Sequence, residues 1–166
     1  MLDTPIARIE NLRVEFETKD GTVVGVEDVS FAINAGETVC IVGESGSGKS
    51  VTALSTVSLL GDSAIVEGSV HYNGEEMVGA GDGQLRRIRG NDISFIFQEP
   101  VTSLNPLHTL EKQLSESLAL HQGVTGDGAR ARILELLHKV GIRDPESRLN
   151  AYPHQLSGGQ RQRVMI

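Results

Sequence analysis

The chain has 166 residues, of which 39% are hydrophobic, and its formal net charge is −7. This length and hydrophobic content are typical of a soluble globular protein with one real core. The acidic balance argues against a broad nucleic-acid-binding surface, so nucleic acid is not an expected partner. The single cysteine, Cys40, cannot form an internal disulfide, which favours a reducing cytoplasmic setting. The first residues lack a signal segment, and no apolar run is long enough to cross a bilayer.

The chain before the first glycine-rich motif is predicted to be antiparallel β-structure. Residues 6–16 alternate as a strand does, a turn signal follows, and the alternation resumes over residues 22–33. Phe16, at the end of the first strand, has two open interpretations. Its ring could stack on a flat base such as adenine, or it could be an inward-facing strand residue.

A phosphate-binding pattern, G-x-x-x-x-G-K-[ST], is matched at every fixed position between residues 43 and 50. The β-branched run 38–42 before it predicts a buried strand, with Cys40 as a small core residue, and a helix is predicted from the loop to about residue 60. Glycines let the backbone wrap around a polyphosphate, so that amides and the positive end of the helix dipole face the anion. Lys49 is predicted to reach the β- and γ-phosphates, and the Ser50 hydroxyl to bind Mg²⁺. The candidate phosphate-binding residues are Gly43, Glu44, Ser45, Gly46, Ser47, Gly48, Lys49 and Ser50.

Short elements are predicted between the phosphate loop and residue 103. A strand over residues 67–72 ends in the hairpin-type turn Asn73-Gly74, and a short helix is predicted over residues 85–88. Residues 93–97 predict a strand that leads into Gln98. A polar side chain at a strand end, before a proline-containing loop, is well placed to point into a site, although an isolated glutamine usually has no such role.

Two amphipathic helices are predicted after residue 106, with no strand between them. The first carries Leu110, Leu114 and Leu118 on one stripe. The second begins after Asp127, a plausible N-cap, and ends at Gly141. This pattern predicts a small helical subdomain set into an α/β framework.

A second helix start suited to anions lies near the end of the sequence. Ser157 is predicted as its N-cap, and Gly158 and Gly159 leave the first amides uncovered. Alone, such a segment would more often be a simple capped turn, but its occurrence together with the phosphate loop favours a nucleotide site.

These motifs together resemble the nucleotide-binding domains of ATP-binding-cassette (ABC) transporters. Residues 43–50 match the Walker A loop, and Gln98 matches the Q-loop glutamine. Residues 156–160 match the LSGGQ signature without a substitution, and Phe16 matches the place of the aromatic residue that stacks on adenine. The order and separation of the motifs also match, from about residue 6 to residue 166.

Further segments are similar to the dipeptide/oligopeptide importer group. They are the loop at 43–50, FQEP at 97–100, SLNP at 103–106, VGI at 140–142 and YPHQ at 152–155. Residues 107–114 are most similar to the fused ATPase subunit of the microcin C/peptide importer. In that subunit two cassettes share one chain, and this would be the first.

The resemblance implies an α/β fold of the P-loop NTPase (ABC) type, with an N-terminal antiparallel β section and an inserted helical subdomain. It implies an ATP-binding core over residues 1–103, a helical subdomain over 104–156, and the start of the signature helix over 157–166. It also implies an ATPase that energises an importer of peptides or peptide-like compounds, peripheral to the cytoplasmic face of the membrane. The implied partners are a second cassette, fused or separate, the membrane permease subunits and, indirectly, an external solute-binding protein.

The resemblance further implies ATP and Mg²⁺ as ligands, held between two cassettes that face each other head to tail. Lys49 and Gln98 would be catalytic, and Ser50 and Gln98 would hold Mg²⁺. The residues that would contact nucleotide outside the phosphate loop are Phe16, Ser157, Gly158, Gly159 and Gln160.

Two features depart from the family pattern. The family's water-positioning glutamate, at the end of the Walker B strand, and its switch histidine would both fall after Ile166, and residues 163–166 carry no helix stop signal. The sequence therefore predicts a fold that is incomplete at the C-terminus and a 166-residue chain that is inactive as an ATPase alone. Two other functions stay open: an ATP-binding module that does not hydrolyse ATP, and a soluble ABC-type ATPase of DNA repair or translation.

Overall fold

The computed structural model describes residues 4–97 and 104–166. The chain divides into two units, one ending at Ile93 and the other beginning at Ser94. Gln98 lies outside the described residues, as does the domain boundary predicted after residue 103, so both stay predictions. None of the helices in these two ranges has the length and hydrophobicity needed to span a membrane.

The first unit contains an antiparallel sheet of four strands in the order β2-β1-β3-β4. The strands are β1 (Ala7–Thr18), β2 (Gly21–Ile33), β3 (Ala64–Tyr72) and β4 (Glu75–Glu76). The predicted β section before the phosphate loop is confirmed, and so is the turn at Asn73-Gly74, which joins β3 to β4. Alternating apolar residues were sufficient to predict β1, β2 and most of β3, whereas β4 and residues 64–66 of β3 were not predicted.

The core of the first unit lies on one face of this sheet. Leu12 and Val14 of β1 are fully buried, and α2 (Asp82–Ile88) adds Leu85 and Ile88, three residues apart on one helical face. The buried cluster consists of Ile9, Leu12, Val14, Val26, Val70, Met77, Leu85 and Ile88.

A bulge in β1 depends on a glycine in the neighbouring strand. The registers of β1 with β2 and with β3 both shift near Asn11, which has a φ of 48°. Gly68 of β3 has a φ of 94°, and a Cβ there would lie 2.4 Å from the carbonyl oxygen of Asn11. Glycine is therefore required at position 68 by both the backbone angle and the close approach of the two strands.

The helix after the phosphate loop, α1 (Lys49–Ser55), is shorter than predicted. The sequence predicted a helix to about residue 60. The chain instead leaves the helix after Ser55, and Ser58 has a φ of 52°, in the left-handed region that ends helices.

Two predicted strands are absent from the described part of the chain. Residues 38–42 are assigned to no strand, Cys40 is exposed rather than in the core, and Val42 is 82% exposed. Residues 94–97 likewise form no strand, and Phe97 is 51% exposed. A buried strand needs hydrogen-bonded neighbours, and no described segment pairs with either run. These two predictions were wrong for this structure.

The second unit is helical. Its elements are α3 (Leu110–Gln122), α4 (Gly126–Lys139), α5 (Pro145–Arg148), a 3₁₀ turn at Pro153–Gln155, and α6 (Gly158–Met165). The Thr109 hydroxyl caps α3 by accepting the amide of Lys112, and Gly123 ends it with a φ of 66°. The buried cluster consists of Leu110, Leu118, Ala129, Ile133, Leu137, Ile142, Leu149, Ala151, Leu156 and Val164. The two predicted amphipathic helices are confirmed, but the predicted N-cap of the second was wrong: its N-cap is Thr125, and Asp127 lies within its first turn.

Glu76 joins β3 to the segment that follows β4. Its carboxylate accepts hydrogen bonds from three backbone amides and one hydroxyl, those of Val70, Met77, Val78 and Ser69. Burial raises the pKa of Glu76, but the hydrogen bonds and the nearby His71 outweigh burial, so that this pKa lies below its ordinary value.

The first prediction concerns the pH dependence of folding. Because the pKa of Glu76 is lowered on folding, its stabilisation is present above the ordinary glutamate pKa of about 4.3 and is lost as the pH falls through the lowered value. Glu76→Gln should therefore lower the urea midpoint near neutral pH, and the difference from the native chain should shrink in acid. Glu75→Gln is the control, since Glu75 is exposed and makes only a 3.4 Å contact with Arg87. A difference that grew in acid would contradict the prediction.

Candidate functional site

The phosphate loop makes a tight turn directly in front of α1. The amide of Ser47 donates to the carbonyl oxygen of Glu44 at 3.2 Å. Gly46 has a φ of 83°, and Gly48, the N-cap of α1, has a φ of 86°. These left-handed angles are ones that residues with a Cβ rarely adopt, so the fixed glycine of the pattern, Gly48, is explained by backbone geometry.

The Lys49 side chain folds back over this loop. Its ammonium donates to the carbonyl oxygens of Gly43 at 2.8 Å and Glu44 at 2.6 Å, and lies 3.4 Å from the Ser47 hydroxyl. No carboxylate within the described ranges pairs with it. A cation whose partners in the described ranges are neutral oxygens is placed to bind an anion.

The loop amides point to the same chemistry. Among the described residues, no acceptor takes the amides of Gly46, Gly48, Lys49, Ser50 or Val51. These donors lie in the turn and at the positive end of the helix that carries Lys49. The loop therefore fits a phosphate chain, because each phosphate oxygen accepts several hydrogen bonds.

The sheet supports the loop through Gly25 of β2. A Cβ on Gly48 would lie 2.4 Å from the Gly25 carbonyl oxygen, so the loop backbone rests directly on the strand. On its other side Gly25 lies against Phe16, because a Cβ on Gly25 would be 2.8 Å from that ring. The half-buried ring of Phe16 is thus linked to the phosphate loop through one residue. Phe16 also packs against the core, so both interpretations of it stay open.

Two supporting residues, Gly25 and Thr52, were missed from the sequence. Thr52 is buried and its hydroxyl donates to the Gly48 carbonyl at 3.0 Å, which fixes the last peptide of the loop. The signal for Gly25 was available, since an isolated glycine in a strand marks close backbone approach. A threonine within a helix gives no comparable signal.

The second motif has the predicted capped helix start. The Ser157 hydroxyl accepts the Gln160 amide at 3.3 Å, and the Gln160 side chain accepts the Ser157 amide at 2.9 Å, which is a capping box. A Cβ on Gly158 or Gly159 would meet nothing within 4 Å. Packing within this chain therefore does not require either glycine.

For Mg²⁺, the described residues supply one candidate ligand. The Ser50 hydroxyl is exposed at the start of α1 and has no hydrogen-bond partner among the described residues. The second predicted ligand, Gln98, lies outside them. No group of three or more histidine, cysteine, aspartate or glutamate residues in the described ranges could hold a metal. A hydroxyl beside phosphate oxygens fits Mg²⁺, which prefers oxygen ligands and keeps several waters.

The sequence matches a known protein family and is similar to several known proteins. A protein-family model described as "ABC transporter" matches residues 26–166. The chain is 56% identical over 164 residues to the peptidoglycan transport ATP-binding protein YejF of Agrobacterium fabrum, covering 98% of this chain and 30% of that protein. It is 46% identical over 162 residues to the oligopeptide transport ATP-binding protein OppD of Haemophilus influenzae, covering 98% of this chain and 50% of that protein. The chain thus spans no more than half the length of these relatives.

Solved structures of one cassette are also similar. The dimeric structure of MJ0796, a bacterial ABC transporter cassette, matches with a TM-score of 0.82 and 31% identity, covering 96% of this chain and 67% of that chain. The dimeric structure of its post-hydrolysis state, bound to ADP and Pi, matches with a TM-score of 0.80 and 30% identity, covering 96% and 66%.

The second prediction separates two reasons for glycine in the loop. In Gly48→Ala the new residue must adopt a left-handed φ, and its Cβ also clashes with the Gly25 carbonyl. This substitution should lower the free energy of unfolding by about 3 kcal/mol or more. In Gly46→Ala the cost is the left-handed φ alone, because nothing lies within 4 Å of a Cβ there. This substitution should lower the free energy of unfolding by about 1 kcal/mol. Urea unfolding without nucleotide measures both values, and equal losses would contradict the close contact.

Proposed function

The chain belongs to the ABC transporter family, and on that premise we propose that it is the ATP-binding part of an ATPase that drives import of peptides or peptide-like compounds. The observation that carries the proposal is the phosphate loop, where Lys49 and several amides converge without an anionic partner in the described residues. Relatives named for peptidoglycan and oligopeptide transport support the substrate class.

In this proposal the loop binds the triphosphate of ATP. Lys49 exchanges its carbonyl partners for the β- and γ-phosphate oxygens, and the amides of Gly46 and Gly48 donate to the same chain of phosphates. Ser50 and Gln98 would hold Mg²⁺, which would supply positive charge beside the phosphates. The loop is folded in advance, so binding requires little backbone rearrangement.

Phe16 is proposed to stack on the adenine ring. Its contact with Gly25, which in turn supports Gly48, keeps the aromatic ring beside the phosphate loop. Aromatic faces bind flat bases with little dependence on hydrogen bonding, so this contact would contribute affinity at the end of the nucleotide away from the phosphates.

The signature segment is proposed to act on a second cassette. Gly158 and Gly159 face open space in this chain, and the amides at the start of α6 are available to an anion. Ser157, these glycines and Gln160 would therefore cover the γ-phosphate of ATP bound to the opposite cassette. The dimeric state of the similar MJ0796 structures supports this arrangement.

The remaining partners follow from transport. ATP closing the cassette pair and hydrolysis reopening it would drive permease subunits at the cytoplasmic face of the membrane, with a solute-binding protein engaged indirectly. Residues 1–166 alone are proposed to lack ATPase activity, because the family's water-positioning glutamate and switch histidine have no counterpart among them. Turnover by the isolated chain would contradict that part of the proposal.

The third prediction tests the two halves of the proposed site in one assay. Peptide uptake is measured in cells whose only copy of the gene carries either Lys49→Ala or Gly159→Leu. Lys49→Ala removes the phosphate-binding cation and should abolish uptake and ATP binding. Gly159→Leu should abolish uptake while ATP still binds to the loop, because only the surface facing the second cassette is changed.

Stability separates these effects from misfolding. Leucine is a better helix former than glycine and meets no atom within 4 Å of its Cβ, so Gly159→Leu should leave the unfolding midpoint unchanged or raise stability by up to about 1 kcal/mol. Lys19→Ala, in the exposed turn between β1 and β2, is the matched control for loss of a lysine and should transport normally. Full uptake by Lys49→Ala would overturn the proposed function. ATP binding and hydrolysis without peptide uptake in the native protein would favour a soluble ATPase.

A further inference from the structure

Arg89 joins the end of the phosphate-loop helix to a distant part of the chain. Its Nε donates to the carbonyl oxygen of Val57 at 2.8 Å, and its Nη2 donates to that of Ser58 at 2.5 Å. These carbonyls follow the last turn of α1, and they lie 32 and 31 residues away in sequence. The two donors belong to one rigid guanidinium, so together they fix both the position and the direction of this chain end.

The backbone around Arg89 is held in place by hydrogen bonds and by neighbouring core residues. Arg89 directly follows α2, and its amide donates to the Leu85 carbonyl at 2.8 Å. The Ile88 carbonyl accepts the amides of Asp92 at 2.9 Å and Ile93 at 3.1 Å, which closes a tight turn after Arg89. Leu85 and Ile88 are buried in the core of the first unit. The guanidinium therefore connects α1 to a rigid part of the fold.

The helix that Arg89 holds has few side-chain links of its own to the rest of the unit. It contains seven residues, and its two buried side chains are the polar Thr52 and Ser55. Their hydroxyls donate to carbonyls of the same segment, those of Gly48 and Thr52, and so give no link to the rest of the unit. Within the helix, apolar contact with the core comes from the partly buried Val51. After the helix, Arg89 acts together with the fully buried Val57 and with the Ser58 hydroxyl, which donates to the Met77 carbonyl at 3.3 Å. A cation beside the last carbonyls also opposes the negative end of the helix dipole.

We propose that Arg89 is a positioning residue for the phosphate loop. It holds one end of α1 so that the other end, with Lys49 and the loop amides, stays aimed at the phosphates. Arg89 would not contact the nucleotide itself. This inference rests on the proposed function, because it concerns the same nucleotide site.

The test uses the whole gene product and compares ATP with AMP, which lacks the β- and γ-phosphates. Arg89→Gln should weaken ATP binding by roughly tenfold and leave AMP binding unchanged, because the loss falls on the phosphate loop. Arg89→Lys should give a smaller loss, since one ammonium cannot reproduce the two-donor fork. A role limited to stability would weaken both nucleotides equally, or neither.

Two control variants complete the experiment. Arg87→Gln removes a cation from α2, the helix before Arg89, and should bind ATP normally, because among the described residues the Arg87 ion pair is a 3.4 Å contact with Glu75. Val70→Ala creates a cavity in the same core and should lower the unfolding midpoint while the ATP-to-AMP affinity ratio stays native. If Arg89→Gln does not fold, the ATP-to-AMP affinity ratio of Arg89→Lys tests the proposal instead.

The outcomes separate the two ideas. If the native protein binds ATP no more tightly than AMP, the proposed function fails. If the native protein prefers ATP and the Arg89 variants keep the native ATP-to-AMP ratio, the inference about Arg89 is overturned while the proposed function stands.

Discussion

The first unit depends on the close approach of two backbone segments, Gly48 in the phosphate loop and the Gly25 carbonyl in β2. A Cβ at position 48 would lie 2.4 Å from that oxygen, so the loop can rest on the strand only with glycine there. Gly48 also has the left-handed φ with which the chain enters α1. Phe16 covers the other side of Gly25. The antiparallel sheet is therefore the platform of the loop, even though residues 38–42, which precede the loop, belong to no strand.

The glycines of the two motifs are required for different reasons. Gly48 is needed by the folded chain itself, since both its φ and its surroundings exclude a side chain. Gly158 and Gly159 are not, because a Cβ on either meets open space, and alanine would favour the helix. This difference supports the proposal that the loop binds phosphate by itself, whereas Gly158 and Gly159 serve a site shared with a second cassette.

The sequence predicted local structure well and non-local pairing poorly. The family and the fold class are confirmed by the family match and by the MJ0796 structures. The strands of the antiparallel sheet and the capping box at Ser157 carry their own local signals. The apolar runs 38–42 and 93–97 indicate a need for burial but not the partner that would satisfy it, and the structure leaves 38–42 and 94–97 unpaired within the described residues. The contact of Arg89 with the end of α1 could not be predicted from the sequence, because a contact across 31 residues leaves no periodic trace.

Within the loop, the predicted role of Lys49 fits the structure because little must change when an anion arrives. The ammonium already lies over the turn, on the carbonyls of Gly43 and Glu44, so reaching a phosphate requires a change of side-chain partners and not of backbone. The backbone is fixed from three directions, by the Gly25 carbonyl, by the Thr52 hydroxyl and by Arg89 at the far end of α1. Most of the ordering entropy of the loop is then lost on folding rather than on binding. In the proposed function, such a site would keep its binding energy for contacts with the phosphates, which are the groups that change when ATP is hydrolysed.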